Sequence, residues 1–62
     1  VIDYKLVPGK LYYNLWVGAR VVVLSVDRYS EVTIVVEMLR GKDIFCQYYS
    51  PHQLKYYFGD PL

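Results

Sequence analysis

Residues 31–50 read EVTIVVEMLRGKDIFCQYYS, two runs rich in Val, Ile, Thr, Tyr and Phe on either side of Gly41-Lys42. No proline interrupts either run, so the stretch predicts a β-hairpin. In the first run Val32, Ile34, Val36 and Met38 form one face, and Glu31, Thr33 and Glu37 mark the other, because strand side chains alternate with period two. The second run can pair in two ways. A two-residue Gly41-Lys42 loop sets Val36 opposite Gln47 and Glu37 opposite Cys46. A three-residue Arg40-Gly41-Lys42 loop sets Met38 opposite Ile44, Val36 opposite Cys46 and Ile34 opposite Tyr48. A slip of one residue moves every side chain to the other face. Matching apolar against apolar favours the three-residue loop, which turns Cys46 inward and places Phe45 and Tyr49 outside beside Thr33 and Glu37.

Upstream, ARVVVLSVD over residues 19–27 supplies a preceding strand. Val22, Leu24 and Val26 make its apolar side, and a bend over residues 27–31 closes the hairpin. Before it, Leu11, Tyr13, Leu15 and Val17 alternate with Lys10, Tyr12, Asn14 and Trp16. With the aliphatic set facing the core, Tyr12 and Trp16 stand outside. Val7-Pro8-Gly9-Lys10 suits a type II turn, since proline presets φ at the second position and glycine supplies positive φ at the third. Residues 1–9 then form an arm or an edge strand.

Downstream, Ser50 can cap a helix with Pro51 at its first position and Gln53 where the reciprocal capping-box side chain belongs. Gly59 stops it. Leu54, Tyr57 and Phe58 share a face at helical spacing, leaving His52, Lys55 and Tyr56 outward. A second reading makes residues 50–54 a single 3₁₀ turn and residues 56–58 a fifth strand.

Turn signals every eight to twelve residues, with β-branched runs between them, predict an all-β fold. The expected architecture is a small barrel of about five antiparallel strands with a short C-terminal helix or 3₁₀ turn, one domain over residues 1–62. The stretches Gly18-Ala19-Arg20-Val21-Val22-Val23-Leu24, Val32-Thr33-Ile34-Val35-Val36 and Tyr49-Ser50-Pro51 together resemble the SH3-like small barrels, the group that includes SH3, Tudor and KOW-type modules. The resemblance spans residues 10–58 as a pattern of strands. It implies a fold class and a recognition module, and carries no individual binding residue across.

A chain of sixty-two residues buries only about 60% of its unfolded surface, so every apolar position matters. Cys46 is the only cysteine, which removes disulfides, and one Cys with one His does not make the usual zinc spacings. A lone thiol fits a reducing, cytoplasmic setting. The longest continuous apolar run near the centre, residues 21–24, is far below the roughly 20 residues that cross a bilayer. No signal-peptide pattern opens the chain. No phosphate-binding glycine loop or paired carboxylates stand out, and Cys46 and His52 read as a core thiol and a solvated surface residue. The chain reads as a non-enzyme without metal, cofactor, membrane or small-molecule ligand.

What stands out is aromatic: eight Tyr, one Trp and two Phe at a net charge of +1. Tyrosine and tryptophan offer large rigid faces with polar tips and are favoured at interfaces. The candidate partner-binding residues are Tyr12, Trp16, Phe45 and Tyr49 on strands, Tyr29 at a loop tip and Tyr56 on the helix, with Arg20 and Arg28 at the rim. Single exposed rings need no partner, but several in one patch point to an interface. The expected partner is a protein or a second copy of the chain. The alternative is nucleic acid, with tyrosines stacking on bases and basic residues meeting phosphates, which the near-neutral charge disfavours.

Overall fold

A computed structural model describes residues 5–62. Four strands follow one another, β1 (Leu11–Asn14), β2 (Ala19–Arg28), β3 (Ile34–Arg40) and β4 (Asp43–Tyr49), and then a helix, α1 (Pro51–Phe58). Each strand pairs antiparallel with the next in the order β1-β2-β3-β4. The result is an open antiparallel sheet rather than a closed barrel, with four strands among the described residues where about five were expected. Residues 56–58, the alternative fifth strand, belong to α1. Of the expected N-terminal arm or edge strand, residues 1–4 lie outside the described residues. Residues 5–10 form no strand. They place Leu6 in the core. The Lys10 N–H donates to the Val7 carbonyl at 3.1 Å, with Gly9 at φ 90°, as the type II turn requires.

The β3–β4 hairpin takes the two-residue turn. Arg40 faces Asp43, Met38 faces Phe45, Val36 faces Gln47 and Ile34 faces Tyr49. Gly41 has φ 63°, the sign a tight hairpin turn demands at its first central position. This register corrects the expected one. Phe45, Gln47 and Tyr49 point inward, whereas Ile44, Cys46 and Tyr48 are exposed. Apolar matching misled because β4 has apolar residues on both faces. Turn geometry decided instead, and Gln47 is accommodated inside by accepting a hydrogen bond from the Tyr49 hydroxyl at 2.8 Å.

Two further alternations differ from expectation. In β1, Tyr12 and Asn14 are fully buried, while Leu11 and Tyr13 face solvent. The expected longer strand ends at Asn14, so Leu15, Trp16 and Val17 lie in a turn and their alternation has no strand meaning. In β2, Val21 and Val23 are buried where Val22 and Leu24 were expected. Pairing skips Leu24 between Val23 and Ser25, a bulge that returns Val26 to the inner face opposite Val36. Ile34, Val36 and Met38 face inward as expected, but Val32 precedes β3 and is exposed.

Helix α1 forms where its capping residues predict it. The Ser50 N–H donates to Gln53 Oε1 at 2.9 Å. Gly59 ends the helix at φ 61°, its N–H donating to the Lys55 carbonyl at 2.8 Å. Eight residues cannot sustain a helix alone in water. Leu54 and Phe58 are therefore buried against the inner face of the sheet, with Tyr57 packed beside them. His52, Lys55 and Tyr56 face outward.

Candidate functional site: an aromatic face over the β1–β4 seam

The site is organised by one buried amide. Asn14 ends β1, and its Oδ1 accepts from the N–H groups of Trp16 at 2.8 Å and Val17 at 3.0 Å. Its carbonyl accepts from the Gly18 N–H at 2.8 Å, closing the turn into β2. Its Nδ2 donates to the Tyr49 hydroxyl at 2.9 Å and approaches Met38 Sδ at 3.5 Å. Asn14 lies on β1 and Tyr49 on β4, the two edges of the sheet. The sheet thus curls until its edges meet through side chains, and no backbone ladder joins them. Every polar atom of this amide is used, which is what burial of such a group requires.

The turn that Asn14 holds presents Trp16, which is 51% exposed. Its ring sits 5.3 Å from Tyr49 at 85° and 5.2 Å from Tyr57 at 36°. Tyr57 in turn meets Tyr56 at 5.0 Å and 81°, and Tyr56 is 69% exposed. Beneath them Tyr49 packs on Phe58 at 5.4 Å, and Phe58 on Tyr12 at 5.7 Å. A continuous run of rings therefore leads from the core to the surface, and the Leu15 N–H ties turn to helix by donating to the Tyr57 carbonyl at 2.8 Å.

Trp16 and Tyr56, two of the candidate residues, come together here through Tyr57. Tyr12 and Tyr49 do not belong to the surface: they are 0% and 1% exposed. Each satisfies its hydroxyl inside, Tyr12 by accepting from the Val7 N–H at 3.0 Å and Tyr49 through Asn14 and Gln47. Phe45 is half-buried against the core rather than outward, as the corrected register dictates. Tyr29 is exposed but meets Tyr48 edge to face at 5.1 Å and 82°, and no ring contact among the described residues joins that pair to Trp16. Arg20 is exposed opposite Tyr13. The Arg28 guanidinium donates to the carbonyls of Ser30 at 3.3 Å and Glu31 at 3.0 Å, so its hydrogen bonds serve its own loop.

Two members of the site escaped the sequence reading. Asn14 sat on the face taken as outer, although Asn four residues before Gly18 is a turn signal, since its side chain readily bonds backbone N–H groups just ahead of it. Tyr57 was assigned to the core and is half-buried, one side of its ring under Trp16.

Burial raises the Tyr49 phenol above its ordinary value of 10.0; the hydrogen bond from Asn14 pulls the other way, and the nearby Tyr57 adds a further rise. In the unfolded chain this group ionises earlier, so above pH 10 the unfolded state binds fewer protons and stability falls as pH rises. Denaturation midpoints should drop more steeply above pH 10 for the natural protein than for Tyr49→Phe. Equal slopes would show that Tyr49 does not titrate differently on folding.

Among the described residues no group of three or more His, Cys, Asp or Glu could hold a metal ion. Cys46, expected inside, is exposed. No helix among the described residues is long and apolar enough to cross a membrane. Comparison with models of protein families, with curated proteins and with solved structures finds no match to this chain.

Proposed function

We propose that the chain is a non-catalytic binding module that engages a protein partner through the face formed by Trp16, Tyr57 and Tyr56. The observation that carries this reading is the state of Trp16: half-exposed, yet braced by Tyr49 on one side and Tyr57 on another. A large ring held in one orientation loses little entropy on docking, which is what makes rigid aromatics effective anchors. The curled meander with its seam spanned by Asn14, Tyr49 and α1 also supports reading the fold as an SH3-like barrel opened between β1 and β4. A single thiol suits a cytoplasmic setting for such a module.

A protein partner fits better than nucleic acid. Stacking on bases needs an accompanying basic groove, and the net charge is only +1. On α1 the cation outward beside these rings is Lys55.

Trp16 is the only tryptophan, so its fluorescence reports on this face alone. Peptides selected from a displayed library against the folded chain should shift that emission on binding. Trp16→Ala combined with Tyr56→Ala should weaken their binding about 30-fold or more, the scale of an interface hot spot. Tyr29→Ala, which alters an exposed ring outside the face, should leave affinity unchanged. Equal binding by all three proteins would exclude this surface. Binding only to single-stranded oligonucleotides, falling steeply with salt, would replace the protein partner by nucleic acid.

A further inference from the structure

We infer that β4 pairs antiparallel with β4 of a second copy, extending the sheet across a two-fold axis at Cys46. In a hairpin with a two-residue turn, the closing pair exchanges backbone hydrogen bonds and every second pair thereafter does the same. Arg40–Asp43, Met38–Phe45 and Val36–Gln47 are those pairs here. The N–H and C=O groups of Ile44, Cys46 and Tyr48 consequently point away from β3, along an edge that pairs with no other strand among the described residues.

This edge lacks the usual protections against pairing. It contains no lysine, proline or bulge over Asp43–Tyr49, and its only charge is Asp43 at one end. The other edge of the sheet is occupied: Leu62 donates to the Leu11 carbonyl at 2.8 Å, and Leu15 donates to the Tyr57 carbonyl at 2.8 Å. Only Tyr13 remains between those contacts on β1. Sheet extension between copies is therefore confined to β4, and pairing of like edges closes at two chains instead of propagating.

The charge pattern favours a second copy as the occupant. With Cys46 opposite its symmetry mate, Ile44 faces the partner's Tyr48, Asp43 faces the partner's Tyr49 and Lys42 faces the partner's Ser50. No like charges meet, and an aliphatic–aromatic cross-strand pair forms twice. Ile44, Cys46 and Tyr48 all carry exposed side chains.

The axis position gives a direct test with the natural thiol. A directly opposed hydrogen-bonded pair has Cα atoms about 5.5 Å apart, inside the range a disulfide spans. Sedimentation of the reduced protein should show a monomer–dimer equilibrium, and mild oxidation should trap a Cys46–Cys46 dimer. In Cys46→Ser with Ile44→Cys the two thiols would sit about 14 Å apart along the strands. Cross-linking should then be at least about tenfold slower, beyond the ~7 Å Cα limit for a disulfide. Cys46→Lys, which opposes two cations at the axis, should leave a monomer with an unchanged circular dichroism spectrum. Ile44→Pro provides a second check, because it removes an outward N–H that β3 does not use. A monomer at every concentration overturns the proposal, as does equal cross-linking from positions 44 and 46, or a dimer that survives both Cys46→Lys and Ile44→Pro.

Discussion

Asn14→Leu should lower the stability of this protein by roughly 3 kcal/mol, since a buried group stripped of its partner costs about 1–3 kcal/mol. The substitution leaves the N–H groups of Trp16 and Val17 without their acceptor and removes one of the two hydrogen bonds of the Tyr49 hydroxyl, which keeps the one to Gln47. Leucine fills comparable space but offers no acceptor to the turn and no donor to the seam. A chain of this length has only about 3–9 kcal/mol in total at typical values per residue. At the lower end of that range about half of the population would be unfolded at room temperature. Urea titration followed by circular dichroism measures the loss directly. A change below about 0.5 kcal/mol, the range of an ordinary surface substitution, would mean that Asn14 does not hold the turn and the seam together. Because Trp16 is positioned by the same amide, any folded fraction of this variant should also show altered tryptophan emission.

Phe58→Ala should cost about 3–5 kcal/mol, the usual range for deleting a buried aromatic ring. Phe58 contacts Tyr49 and Tyr12, one from each edge strand, so its ring fills the space where the sheet curls upon itself. Its removal also undocks α1, which is too short to persist alone. Tyr56→Ala on the same helix should cost no more than about 0.5 kcal/mol, since that ring projects into solvent. The contrast between two aromatic residues two positions apart is the informative result. Similar losses at both positions would indicate that Tyr56 is structural, and would remove it from the proposed binding face.

Helix α1 was legible because its information is local. Ser50, Pro51, Gln53 and Gly59 sit at fixed offsets from one another, and capping acts within a single turn. The type II turn at Pro8-Gly9 was legible for the same reason. The inner face of β3 was readable too, since Glu37 beside Val36 and Met38 leaves only one apolar side.

The faces of β1, β2 and β4 were not readable in this way. β4 carries Ile44, Cys46 and Tyr48 against Phe45, Gln47 and Tyr49, and neither set is plainly polar. In β2 the bulge at Leu24 changes the phase halfway along the strand, so no single alternation describes it. In β1 a fully buried asparagine takes the interior while Leu11 is exposed, because its amide joins elements 35 residues apart in the chain. The candidate site inherited these errors: Tyr12 and Tyr49 became its floor, and of the expected rings only Trp16 and Tyr56 come together at the surface, with Tyr29 exposed elsewhere.

By itself the sequence determined that the chain is built of antiparallel strands closed by a capped helix, because turns, caps and β-branched runs act between near neighbours. Only the tertiary structure decided which ring of Tyr12-Tyr13 and of Tyr48-Tyr49 is buried and whether the sheet closes. Those outcomes depend on turn register, on one bulge and on an amide hydrogen bond between the two edge strands. Each is a balance of packing and polar satisfaction across the whole molecule, and no short stretch contains both sides of it.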